Sequence, residues 1–234
     1  MTLEQFAATL AAAVLMGAPA WPAPIATAYE DDGAVTVDGK RTFIIGSYHP
    51  AQGDRPYEEL AEAGFNLVMT GAESAQMDQA QAAGLMVWTA VGTVDLAKRD
   101  ESAAQLVERV NRVKDHPAVA FLETVDEPAW DWMKPTSRVP AEAFAEAYPI
   151  IKKADPNHLL YTNHAPTNLV STLRKYVPGT DIMACDIYPV NPGGIRHSFA
   201  LFADGLQGDL NNEHISQVGE YVDKMREVTG PNRP

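Results

Sequence analysis

From residue 65 onward the chain repeats one pattern: a short run of apolar residues, a stretch with helical spacing stopped by glycine or proline, then another apolar run. F-N-L-V-M-T (65–70), L-M-V-W-T-A-V (85–91), V-A-F-L-E-T-V (119–125), H-L-L-Y-T (158–162) and D-I-M-A-C-D-I (181–187) read as strands. The stretches at 74–83, 101–114, 141–154, 169–176 and 214–228 read as helices. On the 101–114 stretch, Leu106, Val107, Val110 and Val113 form one apolar stripe, and on the last stretch Ile215, Val218, Val222 and Met225 do the same. A strand that is apolar throughout, and not at every second position, is buried on both faces. Strict alternation with helices then implies a parallel sheet covered by helices.

The pattern opens with A-V-T-V-D-G-K-R-T-F-I-I-G, which alternates around Asp38-Gly39. Both positions of that dipeptide tolerate a positive φ, so a two-residue hairpin is expected, with a second arm over 42–47 running into Y-H-P. A helix over 57–63, closed by Gly64, follows.

Two architectures meet these constraints. A doubly wound sheet would carry a glycine-rich phosphate loop after its first strand, and G-S-Y-H-P is not one. A TIM-type (β/α)8 barrel places its chemistry at the C-terminal ends of several strands. Those ends are rich here: Tyr48-His49, Thr70, Trp88, Asp126-Glu127, Asn163-His164 and Asp186 with Tyr188. The expectation is therefore an α/β barrel of which about six βα units are present, preceded by a short β-hairpin. The sequence ends at G-P-N-R-P where a seventh strand would start, so it reads as a barrel truncated before that strand.

Composition narrows the partners. A formal net charge of −13 argues against a nucleic-acid backbone, which is bound by concentrated Lys and Arg. A single cysteine, Cys185, leaves no internal disulfide, and no Cys/His group has zinc-site spacing, so neither a metal nor another cofactor is expected. Residues 1–28 are apolar from Phe6 to Ala18 and then proline-rich, with small-x-small sites ending at Ala20 and Ala28. That is the pattern of a secretory signal peptide, although its first residues carry Glu4 and no Lys or Arg; a first amphipathic helix is the alternative. The expected product is secreted or periplasmic, with the barrel over 29–234 and no membrane span. Oligomeric state is not legible.

The segment V-A-F-L-E-T-V-D-E-P-A-W ends a buried strand in two adjacent carboxylates. A carboxyl at a barrel mouth beside aromatic rings loses hydration. Its pKa rises, and it can serve as a general acid near neutral pH. Neighbours on a strand point to opposite faces, so Asp126 and Glu127 do not form a catalytic pair, and the period of two puts Glu123, Val125 and Glu127 on one face.

Two stretches, V-T-V-D-G-K-R-T-F-I-I-G-S-Y-H-P and K-D-H-P-A-V-A-F-L-E-T-V-D-E-P, resemble the clan A glycoside hydrolases, the retaining (β/α)8 enzymes of the β-galactosidase and β-glucuronidase type. In that clan an Asn-Glu pair, often followed by proline, closes strand four. The Glu is the acid/base and the Asn hydrogen-bonds the sugar 2-hydroxyl, while a nucleophilic Glu stands on strand seven. The resemblance covers most of the chain from about Val35. It makes Glu127 the acid/base, sets Asp126 in place of the Asn, and leaves the nucleophile unknown.

The candidate substrate contacts are Asp126, His49, Trp88, Trp130, Asn163, His164, Asp186 and Tyr188. His49 and His164 suit a structural role equally well. Trp130, with Trp132, suits either stacking on a pyranose or loop packing, and Trp88 is expected chiefly as a buried barrel residue. Glu127 itself could instead cap the following segment or pair with a loop arginine. The function expected is hydrolysis of a glycosidic bond in an oligo- or polysaccharide by the complete protein. The alternatives are a non-catalytic carbohydrate-binding or inactive barrel, or an unrelated barrel lyase or aldolase, the last disfavoured by the lack of a strand-end Lys.

Overall fold

The computed structural model describes residues 23–130, 136–165, 168–187 and 217–234. Among them are two sheets. The smaller is antiparallel, with β1 (Thr27–Tyr29), β2 (Val35–Val37) and β3 (Lys40–Arg41) in that order. The larger is parallel and runs in chain order through β4 (Gly46–Ser47), β5 (Leu67–Met69), β6 (Met86–Ala90), β7 (Val119–Glu123), β8 (Leu159–His164) and β9 (Ile182–Cys185). The helices are α1 (Pro56–Glu62), α2 (Ser74–Ala82), α3 (Arg99–Val113), α4 (Ala141–Ala154), α5 (Val170–Leu173) and α6 (Gln217–Thr229), with a 3-10 turn at Val177–Gly179. None of the described helices is long and apolar enough to cross a membrane.

The parallel sheet curls. Neighbouring strands stand about 4.8 Å apart, so β4 and β8, four steps apart, would be separated by about 19 Å in a flat sheet. Yet the hydroxyl of Tyr48, just beyond β4, lies 3.3 Å from that of Tyr161 on β8. A single cavity of about 300 Å³ also touches every strand, through Gly46, Leu67, Trp88, Phe121, Tyr161 and Ile182. The concave face is the inside of a barrel sector.

The described helices cover the convex face. Tyr57 and Leu60 of α1, Met77 of α2, Leu106 and Val110 of α3, and Ile151 of α4 share one buried cluster with Val68, Val87, Val119, Leu122 and Leu160 of the sheet. Inside the curl a second cluster joins Leu67, Met86, Trp88, Phe121 and Leu159 to Ile25 and Val37, so the small sheet plugs the N-terminal end of the bore. Thr27 ties the two sheets together: its hydroxyl donates to the Ala120 carbonyl at 2.8 Å and accepts from the Leu159 amide at 2.8 Å. A doubly wound sheet has helices on both faces, whereas the described helices here lie on one.

The Asp38-Gly39 turn forms as expected, with φ of +48° and +73°, joining β2 to β3. Its second arm does not continue to residue 47. It breaks after Arg41, and Gly46-Ser47 enters the other sheet as β4. The strand β1 lies in and just past the stretch read as a leader, where three residues carry too little period to announce a strand. The stripe expected on the last helix is also displaced. Tyr221, Met225 and Val228 are buried against β9, while Val218 and Val222 stay exposed and Ile215 lies outside the described residues. On a helix so close to amphipathic balance, the fit against β9 decides which apolar residues go in.

Candidate active site

The site is built from the C-terminal ends of β6 to β9. Trp88, in the middle of β6, packs edge-on against Tyr48 and Tyr161, with ring centroids 5.2 and 6.5 Å apart. Its indole Nε1 donates to Glu123 Oε2 at 3.1 Å. Glu123, the last residue of β7, is 1% exposed, and its other oxygen, Oε1, has no hydrogen-bond partner among the described residues. The Glu123 carboxyl is raised from its usual value near 4.5 to about 7, chiefly by burial, with the Trp88 hydrogen bond opposing the rise and the charges of Asp126 and Asp186 contributing to it. Tyr48 and Tyr161 are likewise driven upward, first by burial, so both stay protonated hydroxyls.

Beyond Glu123 the strand geometry stops. Thr124 turns its hydroxyl to that of Thr162, 2.6 Å away. Val125 packs among Ala129 and Phe144 on the helix side, so the expected common face of residues 123, 125 and 127 does not extend past Glu123. Glu127 then adopts φ +45°, a left-handed conformation that a non-glycine residue holds only when its surroundings enforce it. Two backbone bonds do so: the Glu127 amide donates to the Asn163 carbonyl at 3.0 Å, and the Trp130 amide donates back to the Glu127 carbonyl at 3.1 Å.

The Glu127 side chain is half-buried. Its pKa is raised to about 7, first by desolvation and then by the carboxylates of Asp126 and Asp186, with Arg138 pulling the other way. Asp126 is exposed and accepts from Asn163 Nδ2 at 3.0 Å. Asp186 is placed beside β8 by its amide, which donates to the His164 carbonyl at 2.9 Å. Glu127, Asp126, Asn163, Trp88 and Asp186 are thus brought together at one end of the sheet.

Other expected residues go elsewhere. His164 follows Asn163 and points to the opposite face. It is fully buried with its ring 5.3 Å from that of Tyr176, and burial lowers its pKa to about 3, so it is a neutral packing group. His49 is exposed past β4, and its carbonyl accepts from the Ser47 hydroxyl at 2.6 Å. Trp130 is buried. Tyr188 and Trp132 lie outside the described residues. Cys185 is partly buried and its thiol is pushed up to about 12, chiefly by desolvation, so it is not a thiolate nucleophile.

Sequence reasoning missed Tyr161 as a site residue, although it stands two residues before Asn163 and shares its face by the strand period. It also left Tyr48 and Glu123 outside the site. No group of three or more metal-ligating side chains is assembled among the described residues.

No protein-family model matches the sequence, and no curated protein matches it. Solved structures do. A β-glucuronidase of Bacteroides uniformis superposes with a TM-score of 0.59 at 12% identity, over 90% of this chain and 26% of that one. A GH2 β-galacturonidase of Eisenbergiella tayi, bound to glycerol, gives 0.52 at 13% identity over 91% of this chain and 37% of that one. A β-glucuronidase of Parabacteroides merdae with glycerol in its active site gives 0.51 at 16% identity, over 70% and 23%. The fold is the one these glycoside hydrolases share. At such identities the likeness is one of fold, and the chain spans between about a quarter and just over a third of their lengths.

Proposed function

We propose that the chain carries the acid/base half of a retaining glycoside-hydrolase site, with Glu127 as the proton donor and acceptor. One observation supports this above the others: a half-buried carboxyl at the end of the fourth parallel strand, held near pKa 7 by desolvation and two neighbouring carboxylates. A group poised there gives its proton to the leaving glycosidic oxygen and then takes one from water. Such chemistry needs a second carboxylate about 5 to 5.5 Å away on the other side of the sugar. In this reading that nucleophile comes from a further strand of the complete barrel.

The remaining roles follow from the chemistry of the mouth. The Asn163 amide and the Tyr48 and Tyr161 hydroxyls are donors for sugar hydroxyls, and Asp126 and Asp186 are acceptors. In this reading the protein is exported. Cleavage after Ala20 would keep β1 whole, whereas cleavage after Ala28 would cut it and discard the buried Thr27. A second reading, sugar binding without cleavage, is favoured by the aromatic wall of Tyr48, Trp88 and Tyr161, which suits a pyranose face whether or not a bond breaks.

A panel of aryl glycosides offered to the complete barrel tests both. Hydrolysis that falls on the order of 10² to 10⁴-fold in Glu127→Gln on poor leaving groups, with rescue of Glu127→Ala by azide on activated ones, is the outcome expected of an acid/base residue. Sugar binding without turnover by the complete barrel would favour the second reading. Turnover unchanged in Glu127→Gln would remove Glu127 from the mechanism.

A further inference from the structure

The chain reaches Glu127 through an irregularity in the sheet. Past the end of β7 it still runs beside β8: the Thr124 amide donates to the Tyr161 carbonyl at 3.2 Å, and the Glu127 amide donates to the Asn163 carbonyl at 3.0 Å. A parallel ladder advances two residues per rung on both strands, so the amide due at the Asn163 carbonyl is that of Asp126. Glu127 supplies it instead. One side has advanced by one residue more than the other, as in a β-bulge, an insertion that re-aims a side chain at the end of a strand. The φ of +45° at Glu127 belongs to the same irregularity.

The side chain of Asp126, skipped by the ladder, is held from β8 as well. Asn163 Nδ2 donates to Asp126 Oδ1 at 3.0 Å, so a single residue meets the bulge twice, once by its main chain and once by its side chain. Asn163 is fixed enough to do this. It is 2% exposed, lies in register with Ala184 of β9, and follows Thr162, whose hydroxyl is 2.6 Å from that of Thr124. Any residue at 163 offers the carbonyl, whereas the second hold needs a side-chain donor of this reach.

The charged groups that act on Glu127 are Asp126 in the bulge, Asp186 past β9 and Arg138 ahead of α4, the first two raising its pKa and the last lowering it. Glu127 and Lys224 of α6 both act on the neutral Cys185 thiol beside them. Of the two aspartates, Asp126 is the one whose carboxylate Asn163 holds.

We propose that Asn163 is the positioning residue of the acid/base turn: its side-chain amide pins Asp126 in the bulge and so keeps that carboxylate beside Glu127. The inference rests on the reading of Glu127 as proton donor and acceptor. Without the amide, the exposed Asp126 side chain turns into water, where its field is screened. Glu127 then ionises more readily.

The test follows carboxyl titrations by carbon-13 NMR in the full 234-residue chain, and needs neither a substrate nor further strands. Glu127 in the unmodified chain is expected to titrate at about 7. Asn163→Leu keeps the bulk and the main-chain carbonyl but deletes the donor, and should lower that midpoint by roughly one pH unit. Asp126→Asn should lower it by at least as much. Because Asn163 acts through Asp126, the double variant should lower it no further than Asp126→Asn alone. A measurement on the unmodified chain stands even where Asn163→Leu does not fold: the Asn163 side-chain amide signals should move as Asp126 titrates.

A Glu127 midpoint that Asn163→Leu leaves in place, a double variant in which the two shifts add, or amide signals indifferent to Asp126 each overturn the inference and leave the reading of Glu127 standing. A Glu127 that titrates near its ordinary 4.5 in the unmodified chain removes that reading and the inference with it.

Discussion

Leu122 and Glu123 are adjacent on β7, equally buried, and face opposite sides of the same sheet. Leu122 lies in the convex cluster with Val68, Val87, Val119 and Leu160, all closed over by four helices. Glu123 lies on the concave side, with one oxygen tied to Trp88 and the other unpaired among the described residues. The outer face is mainly apolar groups against apolar groups, with a few buried polar exceptions such as the Thr124–Thr162 hydroxyl pair and the His164 ring. The inner face near its C-terminal end breaks that rule with a buried carboxyl, two phenols and an amide. The difference teaches where each property resides. The larger apolar cluster lies on the helix side of the sheet, and the candidate site lies on the side the described helices leave uncovered.

The sharpest way to break that comparison is Leu122→Ala. Removing a fully buried leucine from the helix side should destabilise the fold by roughly 2–5 kcal/mol, measured by chemical denaturation. A loss below about 1 kcal/mol would mean that the convex face is not the dominant core.

Glu123→Gln, one residue away, should act through pH. The folded pKa of Glu123 is raised from near 4.5 to about 7. The native state therefore holds the proton more tightly than the unfolded chain, and stability falls as pH rises through that window. The glutamine keeps the shape and the acceptor for Trp88 but cannot ionise. The stability of the variant relative to the original should thus increase by about 1–3 kcal/mol between pH 4.5 and pH 8. His164 works in the opposite sense over about pH 3 to 6.5, since its folded pKa is lowered. It is common to both proteins and cancels in their difference. A difference between them that stays flat with pH would place Glu123 in a solvated setting and dissolve the contrast with Leu122.

The smallest effect belongs to the plug sheet. Gly39 sits at φ +73°, and a Cβ added there would meet no atom within 4 Å, so Gly39→Ala introduces only backbone strain. It should lower stability by about 1 kcal/mol and leave sugar binding as it was. A change in binding would tie the hairpin turn to the mouth.

The legible part of this protein is what depends on neighbours in the chain. The uniformly apolar runs announced a parallel sheet, because being buried on both faces is a property of each strand by itself. Asp38-Gly39 announced its turn, since positive φ at two positions is a local demand. The helix α4 begins and ends where expected at Ala141 and Ala154, between Pro140 and Asp155. The carboxylates of D-E-P fall at the end of the fourth parallel strand because the count of strands is linear in sequence.

Other features belong to the curl. Tyr48 and Tyr161 are 113 residues apart, and only sheet curvature brings their hydroxyls to 3.3 Å. The pKa of Glu123, the left-handed turn at Glu127 and the burial of His164 behind Asn163 depend on which atoms surround each group, and those atoms come from other strands. The face that α6 buries was likewise decided by β9, against the stripe its own spacing suggested. Periodicity is set by bonds along the chain and can be read residue by residue. Convergence is set by twist and packing between elements distant in sequence, and the tertiary structure alone determines it.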